Sequence, residues 1–199
     1  MCKDNIGEAL AEHLKFRPQG LRAPAERTGF FTFDLLTTHN ADTTLNLVNR
    51  GETNPFKLNA FAKKLVDGVA AHEHITLAQV GVVVPQETPT VADMKVLSKA
   101  ASRAIVRIKA GGRVVCERLL GELLAGTPQA ELSDDDAGTE NVFKSPQKPM
   151  TLVDLAGAFH MGKDDKLEVE LDWPGSAIGA VGATTTLVIA VKAFESSGR

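Results

Sequence analysis

The chain has 199 residues, a formal net charge of −3 and a pI near 6.0; that is enough chain for one domain, with or without an arm, to bury a sizeable core. Hydrophobic residues at 43% and charged residues at 24% give the balance of a soluble globular protein, and the acidic sign excludes the basic excess of a dedicated nucleic-acid binder. Aromatics at 5%, with no Tyr and the single Trp173, leave few stacking platforms for bases or sugars. The N-terminus carries Asp4, Glu8 and Glu12 and reads as no signal peptide. No apolar stretch approaches the ~18–20 residues of a membrane span. Cys2 and Cys116 make no disulfide framework and read as reduced thiols of a protein made in a cytoplasm.

Residues 1–27 read as an N-terminal arm. Ile6, Leu10 and Leu14 recur every four positions beside Ala9 and His13, which predicts a short amphipathic helix, and Pro18, Gly20 and Pro24 then break regular structure. Such an arm docks on its own domain, on a neighbour or on a membrane surface. Residues 28–199 read as one β-domain. Phe31, Phe33 and Leu35 alternate with Thr32 and Asp34, the period of a half-buried strand, and TTLNLVNR sets Leu45 and Leu47 on one face. Asn54 before Pro55 predicts a helix start, and Leu58, Phe61, Leu65 and Val69 follow at helical spacing. ITLAQVGVVV (75–84) predicts a strand closed by Pro85, and Thr90 with Asp93 resembles a capping box.

The sharpest local pattern is AIVRIKA–GG–RVVCERL. Ala104, Val106 and Ile108 face one way, and Gly111-Gly112 supplies the positive φ angles of a tight hairpin turn. LLGELLAG predicts a helical turn, and residues 127–149 a long polar connection. MTLVDL predicts a short strand. In LEVELDW, Leu167, Val169, Leu171 and Trp173 point inward while Glu168, Glu170 and Asp172 point outward; in TTTLVIAVKAF, Leu187, Ile189, Val191 and Ala193 share a face. About eight strands without a βαβ rhythm predict an all-β fold, an antiparallel sandwich or barrel.

Few residues suggest chemistry. His72-Glu73-His74 is the best metal candidate, since imidazoles two apart on a strand share a face. Cupin-type barrels add a Glu four or five residues on, and Ala78 and Gln79 stand there, so the reading that prevails is a polar helix–strand junction. Asp134-Asp135-Asp136 with Glu131 and Glu140 could attract calcium but lacks the alternating spacing of the helix–loop–helix site. Cys116 with His160 or His39 lacks an activated-nucleophile motif and reads as a buried thiol. Gly175, Gly179 and Gly182 match no phosphate cradle, and Trp173 reads as a core plug. Arg103, Arg107, Lys109, Arg113 and Arg118 make the hairpin basic; one face could meet phosphates, or simply be solvated. No catalytic, cofactor-binding or metal residue is therefore assigned, and no cofactor.

The order QVGVVVPQETPTVAD, SRAIVRIKAGGRVVCERLL, GELLAG, a long loop, DKLEVELDWPGSA and TTTLVIAVKAF resembles the jelly-roll coat proteins of tailless icosahedral bacteriophages, over residues 75–195. The chain is too short for a double jelly roll, so the resemblance implies a single jelly-roll β-sandwich. It implies a capsid subunit, not an enzyme, that self-assembles through barrel flanks, loops and the N-terminal arm. Its partners would be copies of itself, other virion proteins and an internal membrane reached by the arm, with no sequence-specific nucleic acid. Its location would be the virion, after synthesis in the host cytoplasm. The competing expectations are a ligand- or carbohydrate-binding β-sandwich and a metal-dependent cupin-like enzyme.

Overall fold

The computed structural model describes residues 5–35, 44–46, 57–83, 101–124, 132–134, 140–142, 152–172 and 185–198. The Thr90–Asp93 capping box, Trp173, the glycines at 175, 179 and 182, and His39 lie outside them.

The described residues are mostly β. Helix α1 (Asn5–Phe16) precedes β1 (Ala25–Leu35), β2 (Thr44–Asn46), β3 (Lys57–Leu58), α2 (Ala60–Asp67) and β4 (Glu73–Val83). The hairpin β5 (Ile105–Ala110) and β6 (Arg113–Leu119) leads to α3 (Leu120–Leu123), the short pair β7 (Leu132–Asp134) and β8 (Glu140–Val142), then β9 (Val153–Met161), β10 (Leu167–Asp172) and β11 (Thr185–Ser197). Two antiparallel sheets pack as a sandwich. One has the order β3-β1-β11-β4-β9, the other β2-β10-β5-β6, and β7-β8 form a separate two-stranded ribbon.

The alternating patterns explain this arrangement. Ile75, Leu77, Val80 and Val82 of β4 and Leu187, Ile189, Val191 and Ala193 of β11 are buried against Val106, Ile108 and Ala110 of β5 and Leu167, Val169 and Leu171 of β10. Period-2 strands have one apolar face each, and two such sheets can only hide them against one another. At the hairpin tip Gly111 and Gly112 have φ of 54° and 75°. The positive φ favours glycine at Gly111, and a Cβ there would stand 2.8 Å from the Asp165 carboxylate, which would have to move aside.

Four expectations change. First, α2 begins at Ala60 with Asn59 as its N-cap, not at Asn54–Pro55, and Leu58 belongs to β3. Asn59 Oδ1 accepts from Ala62 N at 2.8 Å and from Phe30 N at 3.1 Å, while its Nδ2 donates to Thr28 O at 2.9 Å. The capping residue is thus the one that also clamps β1, a partner which local spacing cannot reveal. Second, the connection 127–149 is not plain loop: Ser133 pairs with Asn141 and Asp134 with Glu140 in β7–β8. Third, β9 runs to Met161, well beyond MTLVDL. A register shift against β4, where Leu77 faces Phe159 but Gln79 faces Asp154, bulges residues 155–158 out of the ladder and interrupts the alternation. Fourth, β1 starts at Ala25, inside the segment read as arm.

No helix among the described residues is long and apolar enough to cross a membrane.

Candidate functional site

Three histidines and two hydroxyls converge on the outer face of the five-stranded sheet, largely away from solvent. Residues that alternate with the core positions point there: His74 and Thr76 on β4, Phe194 and Ser196 on β11, His160 on β9. Helix α1 covers them. Its stripe Ile6, Ala9, Leu10 and His13 sits at helical spacing, and Ala9 packs with Ala78 and Phe194 while His13 is completely buried. Leu14, expected on the buried face, is 49% exposed. The helix is rotated so that a histidine, rather than that leucine, enters the interface.

His13 finds hydroxyl partners on two strands. Its Nδ1 lies 2.8 Å from Thr76 Oγ1 and its Nε2 2.8 Å from Ser196 Oγ. Thr76 Oγ1 also lies 2.9 Å from His160 Nδ1, so one hydroxyl joins two imidazoles. A hydroxyl has one proton and two lone pairs. If Thr76 donates to His160 Nδ1, it accepts from His13 Nδ1–H, and Ser196 then donates to His13 Nε2. The His74 ring sits between the others, its centroid 4.8 Å from His13 and 5.3 Å from His160, nearly parallel to the latter. Its Nε2 is buried with no hydrogen-bond partner. Phe16 closes the cluster over His160, at 4.8 Å between centroids.

Burial sets the electrostatics. It lowers the His13 pKa from 6.5 to about 4, with smaller contributions in the same direction from His74, His160 and Arg17. His74 is lowered by burial and by His160; His160 is lowered by burial, with Glu12 acting the other way. Three neutral rings at neutral pH follow. Beside the cluster, the 155–158 bulge and α1 flank a partly open pocket of about 240 Å³ lined by Glu8, Ala9, Glu12, Ala78, Leu155, Gly157 and Ala158.

The candidates read from the sequence are dispersed by the fold. His72 and His74 do not act as a pair: His72 is exposed in the turn before β4, where its carbonyl accepts from Gly198 N at 2.7 Å, whereas His74 is buried beneath α1. No group of three or more His, Cys, Asp or Glu among the described residues is arranged to hold a metal ion. Cys116 lies in the core between the sheets while His160 faces α1, so the five-stranded sheet separates them; burial pushes the Cys116 thiol up. Asp134 and Glu140 are opposite each other in β7–β8, and Glu131, Asp135 and Asp136 lie outside the described residues.

The basic hairpin is largely neutralised from its own sheet. Arg107 Nε donates to Glu117 at 2.7 Å and its Nη1 to Glu170 at 3.2 Å, while Lys109 Nζ donates to Glu170 at 2.5 Å. Burial works against the Glu170 carboxylate, but the hydrogen bonds from Lys109 and Arg107 outweigh it and hold its pKa below the usual range. At the other sheet Lys64 bridges Glu73 at 2.6 Å and Glu195 at 2.5 Å. Burial disfavours the Lys64 ammonium, and its bonds to Glu195 and Glu73 more than compensate.

The histidine cluster leaves little trace in the sequence. His13 stood out only as a polar residue within an apolar helical stripe, and His160 only as a partner for Cys116; Thr76 and Ser196 carried no signal. A polar side chain on the buried stripe of a helix is the one mark that could have pointed there.

No protein-family model matches the chain, and no curated protein matches it.

Proposed function

We propose that this chain is a structural virion protein, a coat subunit of an icosahedral bacteriophage shell built on a single jelly roll. One observation supports it above the others, the nesting of the strand pairs. With β3 and the β7–β8 ribbon set aside, β5 pairs with β6, β4 with β9, β2 with β10 and β1 with β11. Each pair encloses the one before it in sequence. A long antiparallel ribbon bent at the β5–β6 turn has this pairing, and rolling it up joins β10 to β5 and β11 to β4. Such a rolled ribbon is the plan of the jelly rolls found in viral capsids, lectins and cupins.

Fold alone does not choose among those; the packing favours the coat reading. A cupin-type site needs its histidines inside the roll. Here the inside is filled by Phe31, Ile75, Leu77, Ile108, Met161 and Leu167, each at most 1% exposed, and His74 lies on the other face of its sheet, under α1. The outer face of the four-stranded sheet carries cross-strand ion pairs, a surface suited to polar contacts between subunits. Leu14 and Phe16, 49% and 51% exposed at the end of α1, offer apolar contacts to a neighbouring copy, another virion protein or an internal membrane.

Sedimentation and electron microscopy of the purified full-length chain, beside one lacking residues 2–22, test the proposal. Concentration-dependent assemblies that weaken on truncation, and presence of the chain in purified particles, are expected. A chain that stays monomeric at high concentration and is absent from particles overturns it.

A further inference from the structure

We propose that the His13–Thr76–His160–His74 cluster is an acid-sensitive latch: mild acidification releases helix α1 from the sandwich while the two sheets stay folded. This inference does not rest on the coat reading and stands or falls separately from it.

The geometry carries it. Helix α1 is held on the sheet by a small apolar contact, Ala9 with Ala78 and Phe194 flanked by Ile6, Leu10 and Ala158, and by the two hydrogen bonds of His13. Three imidazoles from α1, β4 and β9 are within ring-stacking distance of one another in sequence, His13 on His74 and His74 on His160. Charging His13 or His74 places a cation in a buried site, charging His160 places one in a half-buried site, and charging two places like charges about 5 Å apart. His74 Nε2 has no partner to receive its proton's hydrogen bond.

Of the charges named by the electrostatics around the cluster, Glu12 alone favours a cation, and at His160 burial outweighs it. From the helix side, Glu12 favours a charged His160 and Arg17 disfavours a charged His13. From β11 the facing group is Ser196, without charge. The carboxylates flanking the cluster in sequence, Glu73 on β4 and Glu195 on β11, are committed to Lys64. On β9 the facing group is His160 itself.

The sign follows from linkage. A histidine whose pKa is depressed in the docked state binds fewer protons there than in the released state. Docking is therefore at full strength above the ordinary pKa of about 6.5, and weakens as pH falls from there towards the docked value of about 4. At pH 5, His13 alone shifts the docking equilibrium roughly thirtyfold towards release; His74 and His160 act in the same direction.

Hydrogen–deuterium exchange of the full chain at pH 7.5 and pH 5.0, corrected for intrinsic exchange rates, reads this out. Peptides covering residues 5–16 should lose protection by about thirtyfold or more at pH 5.0, while peptides from β5, β6 and β10 keep theirs. Two variants sharpen it. His13→Gln keeps an acceptor and donors without titrating in this range, and His74→Leu removes a ring nitrogen that has no partner. Either one, docked at pH 7.5, should lose less helix protection on acidification than the parent. Helix protection that does not change between the two pH values overturns the proposal. So does loss of helix and sheet protection together, or a His74→Leu chain with the parent's full acid response.

Discussion

The two faces of the five-stranded sheet are held by different physics. On the inner face Ile75, Leu77, Val80, Val82, Leu187, Ile189 and Val191 are each 2% exposed or less and belong to one apolar cluster. On the outer face, beneath α1, Ala9, Ala78 and Phe194 form the whole buried apolar cluster, and the remaining buried positions are His13, His74, Thr76 and Ser196. Apolar burial is non-directional and insensitive to pH, and its strength grows with area. Hydrogen bonds between neutral rings and hydroxyls contribute about 1 kcal/mol each, and they depend on direction and protonation state. One strand can thus serve a stable core with one face and a conditional contact with the other, and the helix belongs to the lower-stability end of the molecule.

That contrast can be broken by mutation. The largest effect belongs to the core. Leu171→Ala, at a fully buried position opposite Val106, should cost about 2–5 kcal/mol, seen as a lower denaturant midpoint for the whole domain. Unchanged stability would mean that this face of β10 is not the inner one. His13→Ala comes next. It strands the Ser196 hydroxyl and takes one partner from Thr76, which keeps His160. The expected cost is about 1–3 kcal/mol, appearing as lost exchange protection over residues 5–16 with the sandwich midpoint nearly unmoved. If the global midpoint falls as far as for Leu171→Ala, the helix is part of the cooperative core and the contrast fails.

The outer face of the four-stranded sheet provides an intermediate case. Glu170→Ala leaves Arg107 and Lys109, whose side chains are 23% and 27% exposed, without their shared carboxylate. Solvent screening limits the loss to about 1–2 kcal/mol. A double-mutant cycle with Lys109→Ala should return a coupling of about 0.5–1 kcal/mol, and zero coupling would make the ladder ornamental. The smallest effect is expected for Arg118→Ala at the exposed i,i+4 pair with Glu122, 3.5 Å long. It should change thermal stability by less than about 0.5 kcal/mol, which sets the baseline against which the others are read.

Much of the sandwich was legible residue by residue. The Gly111-Gly112 turn sits between two alternating runs, and the structure places β5 and β6 on either side of it. The inward sets of β10 and β11 follow the alternation, with Val169 and Leu171 fully buried as expected, whereas β4 changes parity between Leu77 and Val80, where its register against β11 shifts. The misreadings share a cause. Asn54–Pro55 is a good local start for a helix, but Asn59 is the residue whose side chain can serve Ala62 and β1 at once. The β9 bulge hid six residues of strand, 156–161, because it breaks the period on which the reading depended.

By itself, then, the sequence determined the class of the fold: period-2 alternation, β-branched runs and a Gly-Gly turn act over a few residues, and their physics is local sterics and one-sided burial. Tertiary structure alone decided that His13, Thr76 and Ser196, separated by 63 and 183 positions from the first of them, share one hydrogen-bonded site, that His72 and His74 part company, and that Cys116 and His160 lie on opposite sides of a sheet. Those outcomes depend on which strands become neighbours. Strand order is set by the simultaneous burial of every apolar face, and no window of sequence contains that information.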